Sequence, residues 1–403
     1  MSIGSAPRIH TGRLRNLAAV IGLVSLVGCF GLALRWPTTF YPAYLVAYLF
    51  WAGIAIGCIM LLMLHYLVGG EWGLVLRRPM EAGAMTILPM AILFIPIGLG
   101  LTHLYPWADL SVVHANEALR RKSGYLNPTS FQIRSAGYLA FWIIAALLLN
   151  RWSSDPDRTD DSRPTIWLER LSGPGLVFCF LAATFAMIDW VMSLEPEWAS
   201  TIYGVMLIVG HGLAAFAMMT AVAAFLVQSG PLRGVVSRET LADCGNLLLA
   251  FVMLWAYMAF AQFMIIWSGN LAEEIPWYVR RSRGGWQWIA TTLIVFHFFA
   301  PFVILLFHEA KRRPGVLIAV AGTVVALHFV DVCWLTLPAR FEPRSSHIPW
   351  DQVGMALVAA AAVGGVFIAT FADRLGRRPL YPARVAAINT VARHPGTHGG
   401  TRR

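Results

Sequence analysis

The sequence has few charged residues and few cysteines for its length. Charged side chains make up 13% of the 403 residues, whereas soluble domains carry about 25%. This scarcity excludes an ordinary soluble enzyme. The five cysteines are isolated from one another, and neither a C-x-x-C nor a C-x-x-C-H motif occurs. Disulfide frameworks, iron–sulfur clusters and c-type haem therefore lose support.

Long apolar runs dominate the sequence instead. Hydrophobic residues make up 58% of the chain, and its mean hydropathy is +0.63. Runs of roughly 20 apolar residues, the length that crosses a bilayer as a helix, recur from end to end. They lie near 17–34, 44–68, 84–104, 131–150, 174–194, 202–228, 245–268, 286–307, 315–337 and 352–371. Because no strand-like alternation occurs, the sequence predicts an all-α fold: a polytopic membrane protein with about ten transmembrane helices in a bundle.

The basic residues that give the formal net charge of +10 lie between these runs and form no nucleic-acid-binding signature, so no nucleic-acid partner is expected. Alternate segments between helices lie on one side of the membrane. The set that contains both termini holds 21 of the 31 Lys and Arg residues. Its loops are 69–83, 151–173, 229–244 and 308–314. The positive-inside rule therefore predicts that both termini are cytoplasmic.

These assignments divide the chain into three parts. Residues 1–16 are predicted to form a cytoplasmic amino-terminal segment, 17–371 a transmembrane helical domain, and 372–403 a cytoplasmic, mobile tail. The loop 151–173 reads as a solvated connector, because four aspartates stand among its Arg, Ser and Pro residues. They are Asp155, Asp157, Asp160 and Asp161.

A few ionisable residues lie inside the predicted helices, where their cost in hydrocarbon makes each a candidate functional residue. Five of them lie from mid-membrane towards the non-cytoplasmic side: Asp189, His211, His297, His328 and Asp331. His328 and Asp331 are three residues apart on one helix and hence within reach of each other. Such a pair can bind and release protons, which suits a proton route or quinol deprotonation. A purely structural hydrogen-bonded pair would explain the same spacing.

Other roles stay open for the rest of this set. Asp189 is equally suited to capping a helix or forming an ion pair near a helix end. His211 and His297 could ligate a b-type haem between facing helices. The paired, regularly spaced histidines that such a haem needs are missing. A buried histidine whose ring nitrogens are hydrogen-bonded within the bundle is the more common role. The sequence offers no metal-binding or catalytic motif.

Four loop motifs go beyond composition. They read LVGGEWGLVLRRPME (67–81), LYPWA (104–108), SLEPEWASTIYG (193–204) and NLAEEIPWY (270–278). Together they resemble the F subunit of bacterial alternative complex III, and the resemblance runs from about the second helix to the ninth. Its motif residues in this sequence are Glu71, Trp72, Arg77, Arg78, Glu195, Trp198, Glu273 and Glu274.

The resemblance implies a multi-pass subunit in the bacterial inner membrane. It would belong to a respiratory quinol:electron-acceptor oxidoreductase and be related to polysulfide-reductase-type quinol-binding subunits. The expected partners are a paralogous C-type membrane subunit and the iron–sulfur and multihaem subunits that carry the redox centres. This chain is then expected to hold no redox cofactor of its own. Whether it binds quinone or quinol itself stays open, because the resemblance assigns the better-supported quinol site to the C-type paralogue.

Two other functions stay open. A structural membrane anchor would hold other subunits and conduct nothing. A secondary transporter would need a mid-membrane cavity lined by broken helices. Pro89 and Pro96 are expected to bend the third helix, but no matched pair of helices is interrupted in this way.

Overall fold

Ten long helices organise the chain. The computed structural model describes residue 9 and residues 11–153, 163–340 and 348–380, and none of these residues lies in a strand. The ten spans are α1 (Gly12–Arg35), α2 (Pro37–Val68), α3 (Glu71–Leu99), α4 (Pro128–Trp152), α5 (Ile166–Leu194), α6 (Tyr203–Gln228), α7 (Arg238–Gly269), α8 (Trp286–Leu306), α9 (Pro314–Ala339) and α10 (Trp350–Gly376). Each is long and apolar enough to cross a membrane. The prediction of an all-α bundle with about ten transmembrane helices is confirmed.

Consecutive spans run in opposite directions, so the bundle has two ends. The start of α1 and the end of α10 meet, since Thr11 Oγ1 donates a hydrogen bond to the Ala372 carbonyl at 2.7 Å. We call this end the terminal end and the other the opposite end. Short helical segments at Leu101–Leu104, Pro106–Ala108, Leu110–Ala115, Glu117–Lys122 and Ile275–Arg281 lie between spans at the opposite end. His308–Lys311 connects α8 to α9 at the terminal end.

The centre of the bundle is α2, in which 89% of the most apolar 18-residue stretch is buried. It packs against α5, α6, α9 and α10. The first span, α1, is peripheral, because only 17% of its most apolar 18-residue stretch is buried. It packs chiefly on α10. A Cβ on Gly365 would lie 2.4 Å from the Cα of Gly22, so these two glycines let the backbones of α1 and α10 touch.

The expectation of a loop at 69–83 is wrong, because the chain is helical from Glu71 onwards. Gly69 and Gly70 adopt positive φ angles of 72° and 99°, which complete the turn after α2 within two residues. Arg77 and Arg78 lower the hydropathy of this segment, yet both are buried inside the bundle. The helical pattern of α3 is interrupted at 85–86 and again at 94. These interruptions lie just before Pro89 and Pro96, where the sequence predicts a bend.

The outermost turns also extend beyond the apolar runs. The first helix begins at Gly12 rather than 17, and the last ends at Gly376 rather than 371. Arg15 and Asp373 in these turns form an ion pair at 3.5 Å, so charge is accommodated there. The expectation of a loop over 151–173 is wrong at both of its ends, because 151–152 continue one helix and 163–173 begin the next. Its four aspartates and most of the predicted tail lie outside the described residues.

Candidate functional site

Two histidines meet in the interior of the bundle. His211 on α6 and His328 on α9 place Nδ1 and Nε2 3.1 Å apart, with the two rings nearly perpendicular at 89°. Both side chains are buried. One ring must donate and the other accept, so the pair exists with one shared proton between the two nitrogens.

Asp331 extends this pair along α9. Its Oδ2 lies 3.7 Å from Nδ1 of His328, so the sequence prediction that these two residues face each other is confirmed. The same oxygen accepts a hydrogen bond of 3.1 Å from Nε1 of Trp255 on α7. The Trp255 indole, which comes from a different helix, therefore orients the carboxylate beside His328.

His297 stands beside the pair without bonding to it. Its ring lies 6.5 Å from the His328 ring and 4.5 Å from the Trp255 ring, measured between centroids. It sits in a π-helical stretch, Leu293–Phe299, within α8, and such stretches are frequent at functional sites. Among the described residues, neither ring nitrogen of His297 has a hydrogen-bond partner. Buried polar atoms usually need one, so these nitrogens are suited to hold a polar ligand or a water.

Two glycines make room for the histidine rings. A Cβ on Gly53 of α2 would lie 2.2 Å from Nδ1 of His211, and a Cβ on Gly210 of α6 would lie 2.9 Å from Cε1 of His328. Both distances are below the 3.0 Å that real Cβ contacts keep, so a larger residue at either position would force the ring to shift. The local sequence is therefore adapted to place imidazoles at this position. We call His211, His297, His328, Asp331 and Trp255 the central cluster.

Asp189, the fifth candidate from the sequence, is not among the contacts of the central cluster. It is fully buried at the end of α5 and forms a two-pronged ion pair with Arg134 of α4, at 2.8 and 3.0 Å. The Tyr138 hydroxyl donates a third hydrogen bond to it at 3.0 Å. This arrangement is the ion pair near a helix end that the sequence allows as the alternative to a proton-carrying role.

Three of the motif loops meet at the opposite end. Glu195 pairs with Arg280 and, at 3.2 Å, with Arg281, which follow the NLAEEIPWY motif. The indole of Trp107, in the LYPWA motif, donates to the Ser193 carbonyl at 3.1 Å. Trp198 stacks on Trp277 at 5.1 Å. The motifs therefore specify one continuous polar and aromatic layer rather than separate loops.

Arg281 is the centre of that layer. Its guanidinium is 1% exposed, lies 3.6 Å from the Trp277 ring centroid and donates to the Leu335 carbonyl at 2.8 Å. Burial lowers the pKa of Arg281, and the Glu195 carboxylate opposes that shift. Leu335 is one helical turn beyond Asp331 on α9, so the layer adjoins the central cluster through the end of that helix.

The remaining motif residues lie elsewhere. Glu71 accepts a hydrogen bond of 3.1 Å from Thr240, and Trp72 packs against His65 and Phe216. Glu273 is exposed and Glu274 half-buried just before Ile275–Arg281. Arg77 and Arg78 are buried at the terminal end beside Glu81.

Sequence reasoning missed the partners that complete these sites. Trp255, Arg134 and Arg281 each contact a candidate carboxylate from a distant part of the chain. Arg134 and Arg281 are basic residues near helix ends on the less basic side, a signal that could have marked them. Trp255 gives no such signal, because tryptophan is common in this chain.

The fold defines a multi-pass integral membrane protein. A scan against protein-family models and a search among curated proteins found no match. Within the described residues, no group of three or more His, Cys, Asp or Glu side chains is arranged to hold a metal ion.

Proposed function

We propose that this chain is a membrane subunit of a respiratory quinol:electron-acceptor oxidoreductase of the alternative complex III type, in the bacterial inner membrane, and that its central cluster transfers protons. The proposal of the complex rests on the four motifs. The proposal of proton transfer rests on one observation: His211, His328 and Asp331 form a buried, nearly contiguous array inside a membrane bundle. Titratable groups are costly there and are usually functional.

The array can carry a proton with every atom accounted for. In the starting state, Nδ1–H of His211 donates to Nε2 of His328, and Nδ1–H of His328 faces the Asp331 carboxylate. A proton that binds Nε2 of His211 makes that ring cationic. The shared proton then moves to His328, and His328 passes its Nδ1 proton to Asp331. The 3.7 Å separation of the last pair closes by a small movement or through one water.

The proposed complex supplies the partners of this step. Quinol oxidation releases protons, and the iron–sulfur and multihaem subunits take the electrons. A paralogous C-type subunit lies beside this chain in the membrane. In this chain, the protein's own contribution is the position of the array: Trp255 holds the carboxylate, and Gly53 and Gly210 leave space for the rings.

The test is Asp331→Asn in the assembled complex. Asparagine keeps an oxygen acceptor for Trp255 but removes the titratable group. We expect the complex to assemble while quinol oxidation, or the protons released per quinol, falls about tenfold or more, since positioned proton-transfer groups contribute 10²–10⁴-fold. Asp243→Asn, at an exposed carboxylate on α7, is the control and should change neither. Unchanged turnover and proton release from mildly acidic to mildly alkaline pH would leave this chain a structural anchor.

A further inference from the structure

A cavity of about 180 Å³ opens at the terminal end between α3, α4 and α10. Four arginines line it: Arg78, Arg374, Arg377 and Arg378. Glu81 and Asn150 are the other polar lining residues. The volume is an order of magnitude above the roughly 10–15 Å³ that one water needs. The site therefore has space for a group the size of a phosphate with attached atoms.

One carboxylate is shared among several of these arginines. Arg78 donates to Glu81 at 2.5 Å, and Arg77 and Arg378 lie 3.8 and 3.6 Å from the same carboxylate. Glu81 also accepts a hydrogen bond from the Ser153 hydroxyl. Arg378 is tied to α4 as well, since it donates to the Asn150 carbonyl at 3.2 Å. The wall of the cavity is thus held in place from three helices.

Positive charge exceeds negative charge around this cavity. In the described part of the chain, the arginines gathered here are Arg15, Arg77, Arg78, Arg374, Arg377 and Arg378, whereas the carboxylates are Glu81 and Asp373. Glu81 faces Arg78 and Arg378. Asp373 pairs with Arg377 at 2.7 Å and with Arg15 at 3.5 Å. Among the described residues, each carboxylate is therefore shared by at least two arginines. An anion is the group that completes such a site.

Apolar surface adjoins the same cavity. Leu147 lies one turn before Asn150 on α4, and Leu14 and Leu17 flank Arg15 on α1; all three are exposed. These exposed side chains lie within a turn of Asn150, which lines the cavity, or of Arg15, which pairs with Asp373 beside it. A phosphate bound at the arginines would thus have an apolar surface beside it for acyl chains.

From this juxtaposition we infer that the cavity binds the headgroup of an anionic phospholipid. Guanidinium groups match the oxygens of a phosphate with paired hydrogen bonds. Basic pockets between transmembrane helices at the cytoplasmic side are a recurrent form of lipid site. The terminal end is the side that the distribution of Lys and Arg predicts to be cytoplasmic. The bound lipid contacts α3, α4 and α10. This lipid site is independent of the function proposed above.

The experiment is a lipid titration of the purified, delipidated full chain in neutral detergent, with bound lipid counted by native mass spectrometry. Phosphatidylglycerol is the probe and phosphatidylcholine the reference. We expect phosphatidylglycerol to bind at least about tenfold more tightly. Arg374→Gln/Arg378→Gln should abolish that preference, since each arginine near a membrane surface contributes about one factor of five to ten. Arg374→Lys/Arg378→Lys retains the positive charge and should keep most of the preference for phosphatidylglycerol.

The control is Arg233→Gln/Arg238→Gln, which removes the same charge from exposed positions at the same end of the bundle and should change nothing. If the Gln variant of the cavity unfolds, the Lys variant still decides, because loss of lipid preference despite retained charge and fold would overturn the assignment. Equal binding of both lipids by the natural chain would overturn it as well.

Three further outcomes would assign the cavity to another occupant and overturn the lipid proposal. Millimolar inorganic phosphate that displaces phosphatidylglycerol completely would indicate a soluble anion. An acidic protein that co-purifies with the natural chain and is lost from the Gln variant, with no lipid preference in either, would indicate a protein contact. A lipid preference that is absent from the natural chain and present only after Asp155, Asp157, Asp160 and Asp161 are changed to Asn would indicate that the chain's own acidic segment fills the cavity.

Discussion

Glu195 and Arg281 form a buried ion pair with Oε1 and Nη2 3.2 Å apart. The two residues come from separate motif loops, and Arg281 has further bonds to the Trp334 and Leu335 carbonyls. Removing one partner of such a pair leaves an uncompensated buried charge. The pair therefore holds the loop after α5 against the segment that precedes α8.

Glu195→Gln should lower the free energy of unfolding by about 3–5 kcal/mol. Glu117→Gln is the matched control, because Glu117 and Arg121 form an exposed pair at 2.5 Å, and such pairs contribute less than about 1 kcal/mol. The measurement is thermal unfolding of both variants in detergent. Similar losses in the two variants would show that Glu195 does not compensate Arg281.

Gly53→Ala should disturb the central cluster. The added Cβ would lie 2.2 Å from Nδ1 of His211, so the ring must move away from His328. Overpacking of this kind costs about 1–3 kcal/mol. Gly137→Ala on α4 is the control, because nothing lies within 4 Å of its Cβ, and alanine should there be neutral or stabilising by up to about 1 kcal/mol. If the Gly53→Ala variant has the same unfolding temperature as the natural chain, the placement of His211 against Gly53 is contradicted.

The phenol of Tyr125 should titrate late. Partial burial, and after it the nearby Asp189 carboxylate, which opposes the phenolate, together raise the pKa of Tyr125 to about 12. The pKa of Tyr125 in the folded protein exceeds the ordinary tyrosine value near 10. The contribution of the protonated phenol to the stability of the fold is therefore fully present below pH ~10 and is lost as the pH rises through 12. The difference in ultraviolet absorbance between the natural chain and Tyr125→Phe isolates this phenol. In Asp189→Asn the pKa of Tyr125 should fall towards 10, and an unchanged value would rule out the carboxylate's contribution.

Much of the fold can be predicted from the sequence, because the bilayer imposes length and apolarity on every spanning helix. The contact of His328 with Asp331 follows from their spacing of three on one helix. The contact of His211 with His328 does not, since the two residues are 117 positions apart and helix packing decides which faces meet. Glu71–Ala84 is helical despite low hydropathy because Glu81 compensates its arginines, which only the folded structure reveals.

The orientation of the bundle is a further prediction from the sequence. All five cysteines are buried, so single cysteines introduced at exposed positions can be labelled selectively. Arg233 lies at the terminal end, and Ser123 at the opposite end, where Lys122 donates to the Pro196 carbonyl at 2.6 Å. The excess of Lys and Arg at the terminal end predicts that this end is cytoplasmic. A membrane-impermeant maleimide should therefore label Ser123→Cys in intact cells and Arg233→Cys only after permeabilisation. The reverse pattern would invert the bundle and would place the central cluster nearer the cytoplasmic face, so that its protons would exchange with the cell interior.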